Sequence, residues 1–398
     1  MLMTGDQILL KQLNRTALLW LLRTRPGLAR VELARLTHLT KATVGSLVDE
    51  LRAEGWLLEG ETLASRAGRP STPLFLDPSR LAVLGAELRP GGHRLVAVDL
   101  LGNLLLSRAV LCPYPTLEDA VGGVKDALKL FQLEPVLEGR TVLGLGLAAS
   151  SPLLGPEVFS EAPASEGTAS LHTLLEPLAE SGFPVMLEQT PLAAALGEYL
   201  FGEATGPFLY LHGGQEMRGG MVLEDHLLRG YQGRAGDLGS VLLEQGVQGG
   251  GRVNDLIGLG NVVREAGIEF QDVDSAVDAL REKLERGDPR ALEAVRRAGV
   301  RLGQLTALLT CMVNPRVCVL DGPLGELGPE LLEAVHLELS KQLGAEQAEA
   351  LLLRPSRNGL DTPAVGAAAL MLHALTRPAR TPVMSLLAKP MSRRSRTR

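Results

Sequence analysis

The stretch Leu28 to Trp56 constrains this chain more than any other. Its apolar residues have the spacing of two short helices joined by a tight turn. After Thr40, residues Val44, Leu47, Val48 and Leu51 fall at i, i+3, i+4 and i+7, which is one face of a helix. Thr40 stands where its hydroxyl can accept a free backbone N–H of the first turn. The opposite face carries Lys41, Ala42, Thr43, Gly45 and Ser46, with no acid before Asp49. A small, polar and basic face of this kind can approach phosphates and base edges closely. The preceding helix, about Arg30 to Leu36, is expected to point Val31, Leu33 and Ala34 at the same core. Thr37-His38-Leu39 forms the turn, with His38 where helix-turn-helix turns often hold glycine. Histidine tolerates positive φ better than most residues. An ordinary helical hairpin shares this periodicity, so the choice rests on what surrounds it.

Charge distribution supports a DNA-facing head. The whole chain of 398 residues carries −6, which argues against nucleic-acid binding along its full length. Residues 1–80, however, hold eleven Lys and Arg against eight Asp and Glu, so they are at +3 and the remainder is at −9. A mildly basic head on an acidic body suits a regulator whose head alone meets DNA. With 45% hydrophobic and 22% charged residues the chain is expected to be globular, with two or three domains. No apolar run reaches the length of a membrane span, and Met1 to Lys11 lacks the layout of a secretory signal, so a cytoplasmic location is expected. Cys112, Cys311 and Cys318 are scattered, which suggests neither a disulfide framework nor a thiolate metal site.

In order along the chain, Asp6 to Thr24 reads as a first helix with Leu10, Leu13, Ala17 and Leu21 as its apolar stripe, ended by Pro26-Gly27. After the helix-turn-helix, Trp56 to Glu59 and Pro73 to Leu76 read as the strands of a β-wing. No acid occurs from Thr62 through Leu76, and the intervening segment carries Arg66 and Arg69 within a Gly68-Arg69-Pro70 run. Such a segment suits an A·T-rich minor groove, although a solvated loop has the same composition. Beyond Pro78, strands are expected at Leu81 to Leu88, Arg94 to Asp99 and Leu104 to Leu106, with Gly91-Gly92 and Leu101-Gly102-Asn103 as turns. A helix, a strand at Val142 to Leu147, a helix at Thr173 to Ser181 and a strand at Pro184 to Glu188 follow. Next come a proline-initiated helix from Pro191 to Leu200, a hairpin from Phe208 to Leu223, long helices over Asp274 to Met312, a strand at Arg316 to Leu320 and a helix at Ala364 to Leu375. Two β-rich starts, each followed by α/β units, imply a duplicated α/β domain. Residues 377–398 hold six Arg, one Lys and no acid, and are expected to form a basic disordered tail.

This order of features resembles the ROK family (repressors, open reading frames, kinases). The most specific matches are Thr40 to Val44, Gly68-Arg69-Pro70, Val98 to Asn103, Leu228-Arg229-Gly230 with Ala235 to Gly239, and Leu320 to Leu324. The resemblance implies a winged helix-turn-helix over residues 1–80. After it comes a duplicated actin/hexokinase-like (ribonuclease H-like) α/β body over 81–376, homo-oligomers, and a sugar or sugar-derivative effector. It also shows where this chain departs. The family kinases' first phosphate loop reads here as Ala86 to Gly92, with Arg89 and the N–H-lacking Pro90. The second reads Gly213 to Gly220 with Glu216, which repels phosphate. The family's Asn-Asp pair, sugar ligand and general base, is replaced by Gln189-Thr190. A neutral threonine cannot take the sugar proton, so the body is expected to be non-catalytic, at a cost on the order of 10²–10⁴ in rate. Glu188 points to the other strand face. The zinc-site histidine is replaced by Ser240, and Gly246 to Asp255 holds no cysteine, so no family-type zinc site is expected. Asp237 stands where a sugar-binding Glu would be.

The reading is therefore a DNA-binding regulator, a repressor, acting as a homodimer on double-stranded DNA with an inverted-repeat operator. Thr40, Lys41, Thr43 and Ser46 contact DNA from the recognition helix, and Arg66 and Arg69 from the linker. Gln189, Thr190, Asp237 and Ser240 form what remains of an effector site in a body that either senses a sugar or serves only dimerisation, and neither metal nor cofactor is called for. A sugar kinase with an accessory head and a protein-interaction module are the rival readings. His212, Asp225 and His226 are expected to have ordinary surface roles.

Overall fold

A computed structural model describes residues 7–61, 71–89, 91–150, 175–178, 180, 182–202, 206–214, 216–223, 226–243, 251–269 and 273–377. Their contacts divide the chain into two compact units. One comprises Met1–Gly155, Ala164–Glu188 and Ala367–Arg398, the other Pro156–Pro163 and Gln189–Gly366. No helix among the described residues is long and apolar enough to cross a membrane.

The first unit begins with α1 (Gln7–Thr24), α2 (Arg30–Thr37), α3 (Lys41–Ala53) and the antiparallel strands β1 (Leu57–Glu59) and β2 (Leu74–Leu76). The four apolar residues of α3 picked out by their spacing, Val44, Leu47, Val48 and Leu51, are all buried. His38 ends α2 at φ 56°, in the left-handed region. Two expectations are corrected. Val31 is 60% exposed, because α2 starts at Arg30 and only Leu33 and Ala34 of this helix turn fully inward. In α1 the buried residues are Leu18, Leu19, Leu21 and Leu22, whereas Leu10 is exposed. The helix docks mainly by its C-terminal half: of the expected stripe Leu21 is buried, Leu13 and Ala17 are half-buried and Leu10 is left out.

The same unit contains a five-stranded sheet of β3 (Leu81–Arg89), β4 (Gly92–Val98), β5 (Leu104–Leu111), β6 (Thr141–Ala149) and β7 (Val185–Gln189), in the order β5-β4-β3-β6-β7. Strands β5, β4 and β3 run antiparallel, and β6 joins β3 in parallel. Helix α4 (Leu117–Phe131), capped by the Thr116 hydroxyl, buries Ala120, Val121, Val124 and Leu128. The Val98 to Asn103 motif has a structural reason. Asp99 is buried, and its carboxylate accepts the backbone N–H groups of Leu101 (2.8 Å) and Asn103 (3.0 Å) and the Asn103 side-chain amide (2.8 Å), fixing the β4–β5 turn.

The second unit repeats this plan. Helix α5 (Thr190–Phe201) precedes a sheet of β8 (Phe208–Gly213), β9 (Met217–Leu223), β10 (His226–Leu227), β13 (Val317–Asp321) and β14 (Leu352–Pro355), ordered β10-β9-β8-β13-β14. Between β10 and β13 lie the short strands β11 (Leu242–Leu243) and β12 (Gly251–Arg252) and the helices α6 (Val253–Ile257), α7 (Leu259–Glu265), α8 (Val273–Glu285) and α9 (Pro289–Val313). Helices α10 (Gly322–Gly325), α11 (Pro329–Leu343), α12 (Ala345–Ala350) and α13 (Thr362–Thr376) belong to the later part of the chain. The two sheets match position by position: three antiparallel strands, then a strand added in parallel. The duplication expected from sequence is thus present as two copies of one strand order. Pro289 at the first turn of α9 and the Asp288 cap, which accepts the N–H groups of Arg290 and Ala291, start the longest helix of the second core.

Candidate DNA-binding and effector sites

The recognition face is held by local chemistry. Thr40 accepts the N–H of Thr43 (3.1 Å), and the two threonine hydroxyls lie 2.9 Å apart. Thr40 therefore spends its hydroxyl on the cap. Lys41 and Ser46 are exposed and Thr43 is half-buried. Ser46 also donates to Glu50 at 3.4 Å, a long bond. Gly45, on the same face, has open space around the position of a Cβ. The acids that follow are tied up within the head. Lys11 pairs with Glu50 (2.7 Å), Arg15 with Glu54, and Arg30 with Asp49 (2.7 Å). The first half of α3 thus offers N–H groups, hydroxyls and one lysine, and the second half is largely charge-compensated. Arg66 and Arg69 lie outside the described residues.

Three of the four expected effector residues meet at the loop after Gly230: Asp237 and Ser240 belong to it, and Gln189 is bonded to it. Gln189 donates its amide to the carbonyl of Gly233 (2.9 Å), joining the start of α5 to the loop after Gly230. Thr190 opens α5 with its side chain buried and its Oγ1 without a hydrogen-bond partner among the described residues. Asp237 and Ser240 are exposed. Asp237 forms an antiparallel bridge with Arg218, so its backbone at least serves the loop's attachment to β9. The glycines that resemble phosphate loops have packing roles here. A Cβ on Gly92 (φ 141°) would meet the Val110 carbonyl at 2.0 Å, and one on Gly220 would meet the Pro191 carbonyl at 2.8 Å. At the β8–β9 turn Glu216 is engaged by Arg218 at 2.9 Å. Among the described residues no group of three His, Cys, Asp or Glu side chains could hold a metal ion, and residues 244–250 of the expected cysteine-free segment lie outside them.

Sequence reasoning missed one cluster. His212 is not an ordinary surface residue: its Nδ1 lies 3.2 Å from Oδ2 of buried Asp321, which also accepts the hydroxyl of Tyr210. Burial raises the affinity of the Asp321 carboxyl for its proton. Hydrogen bonds from His212, Ser356 and Tyr210, with the charge of His212, outweigh this and hold it below the usual carboxylate range. The residues come from β8, the end of β13 and the chain beyond β14, and only an acid closing a buried strand hinted at them. A depressed carboxyl stabilises the fold above its unfolded-state value, and that contribution is lost as pH falls through its folded value. Asp321→Asn is therefore expected to lower the urea midpoint at pH 7 and to flatten its fall as pH drops below the ordinary carboxylate range. An unchanged acid limb would remove Asp321 from the account. His226 is exposed, and Asp225 lies outside the described residues.

The comparisons agree with this architecture. Over 364 residues the chain is 25% identical to the putative xylose repressor of Caldicellulosiruptor sp. (strain Rt8B.4), covering 83% of this chain and 88% of that protein. A crystal structure of a ROK family transcriptional regulator, a homologue of the Escherichia coli Mlc protein, superposes with a TM-score of 0.71 at 17% identity, covering 92% of this chain and 98% of the other. The ROK hexokinase of Thermus thermophilus superposes with a TM-score of 0.56 at 27% identity over 73% of this chain and 97% of its own. The ROK family profile matches residues 170–374, more than half of the sequence, and the chain therefore belongs to the ROK family.

Proposed function

We propose that this ROK protein is a DNA-binding transcriptional repressor. Residues 1–80 serve as a winged helix-turn-helix head, and residues 81–376 as a body that senses a sugar or sugar derivative without phosphorylating it. The observation that carries the reading is the exposed, acid-free first half of α3, standing on a buried stripe and a threonine cap. Lys41, Thr43 and Ser46 reach DNA, and Thr40 shapes the helix end that meets the phosphates. Arg66 and Arg69 extend the contact to the flanking minor groove. A homodimer places two heads on an inverted repeat. A relative named as a xylose repressor, aligned over most of both chains, supports this reading.

Gly45 supplies the test. It sits inside α3 with nothing near its Cβ position, so Gly45→Ala is expected to stabilise the head by about 0.5–1 kcal/mol. On DNA, the added methyl group occupies the space the groove needs. A higher melting temperature with weaker operator binding is the expected pair of results. Gains in both would turn this face away from DNA.

The body reading rests on Thr190. With no carboxylate in the first turn of α5, nothing there takes a proton from a sugar hydroxyl. Binding without turnover is still open to Gln189, Thr190 and Asp237. A sugar, amino sugar or sugar phosphate that binds is expected to stabilise the fold by about 2.7 kcal/mol at a hundredfold excess over Kd. Thermal unfolding across such a panel identifies the class. A flat response throughout would leave the body as a dimerisation scaffold only.

A further inference from the structure

Three elements of the head meet at one arginine. Arg30, the first residue of α2, places Nη2 2.7 Å from Asp49 Oδ1 on α3 and 3.1 Å from Glu59 Oε1 at the end of β1. Arg52 of α3 closes the ring, its Nη2 3.2 Å from Glu59 Oε2. The backbone reinforces the same junction. Gly27 N–H donates to the Leu74 carbonyl (2.9 Å), Leu74 N–H donates to the Leu28 carbonyl (3.1 Å), and Ala29 forms an isolated antiparallel bridge with Pro73, so the chain entering α2 lies beside β2. Glu59 is also the residue from which the chain leaves β1 towards the segment between the two strands. Asp49 is well exposed, so this ring lies at the rim of the recognition helix and not in the core.

We propose that Arg30 is a positioning residue for DNA binding. It locks α3 to the β1–β2 ladder, so that contacts made by the recognition helix and contacts made beside the ladder keep one frame. This rests on the DNA-binding reading above. A single exposed ion pair contributes little to stability. Here a single guanidinium nitrogen, Nη2, donates to carboxylates from two elements, and it does so one bond further from the backbone than a lysine ammonium reaches. The function of the ring is therefore geometric: it limits how far the ladder can swing about the axis of α3.

The test separates geometry from charge. Full-length protein is measured on a selected operator whose core is constant and whose flanks are either A·T-rich or G·C-rich, with thermal unfolding alongside. Asp49→Asn removes a negative charge from the DNA side, so simple electrostatics calls for tighter binding and an unchanged flank ratio. Positioning by Arg30 calls for a fall in the flank ratio of about fivefold or more in Asp49→Asn, in Arg30→Ala and in Arg30→Lys, with discrimination of the core bases retained and the melting temperature little changed. Flank ratios equal to wild type in all three variants overturn the proposal and leave DNA binding standing, and so does a wild-type protein indifferent to its flanks. A wild-type protein whose retention on DNA does not respond to salt overturns the DNA-binding reading itself.

Discussion

Replacing Gly366 by leucine is expected to destabilise the body by at least about 3 kcal/mol, beyond the usual cost of overpacking because the obstruction is backbone. A Cβ at this position of α13 would stand 2.3 Å from the Ala193 carbonyl oxygen and 2.6 Å from the Ala194 Cα of α5. From the other side, a Cβ on Gly197 would stand 2.7 Å from the Gly366 Cα. The two helices cross through small residues, and neither can rotate a side chain out of the way. For a unit of this size the loss corresponds to a fall in melting temperature of roughly 6–12 °C. Gly260→Ala is the matched control, since nothing lies within 4 Å of its Cβ position. Equal melting temperatures for Gly366→Leu and wild type would show that the crossing is looser than these distances.

The second large effect is expected from salt. If two heads together neutralise six or more phosphates, operator affinity falls by about 10³ or more between 50 and 200 mM salt. Lys41→Ala is expected to weaken binding evenly across sequences and to reduce the slope of log affinity against log salt by about one per head. Lys41 is exposed and stands at the first position of α3, where the free N–H groups also attract an anion. A shallow slope in wild-type protein would favour the rival reading, in which the head docks on a protein partner.

Much of this was legible in the sequence where a short period governs the outcome. The buried face of α3, the Thr40 cap and the left-handed His38 follow from residues within a few positions of one another. The duplication was legible because β-rich starts recur, and the matching strand orders bear it out. Features set by distant partners were not legible. His212 and Asp321 lie 109 residues apart, and no spacing rule links them. Leu10 and Leu18 of α1 are alike in a periodicity plot, yet only the second half of the helix is covered. The Arg30 ring was hidden for a related reason: exposed charges choose partners by three-dimensional proximity, and sequence patterning carries no trace of it. For the loop after Gly230, resemblance to the family singled out Gln189 and Thr190 as candidates, but the bond from Gln189 to Gly233 depends on a fold that brings residues 44 positions apart together.

The way α3 divides its labour has a consequence for how such regulators diversify. Val44, Leu47, Val48 and Leu51 build the core, and Asp49, Glu50 and Glu54 are committed to partners within the head. Lys41, Ala42, Gly45 and Ser46 contribute no buried side chain to that core. Mutations at these four positions are therefore expected to cost the fold little while, on the DNA-binding reading proposed above, changing which sequence is bound. A duplicated gene could acquire a new operator by a few substitutions there, each intermediate still folded, and leave the α/β body untouched. The head is in this sense a replaceable address label, and the separation of its core from its reading face is what permits the replacement.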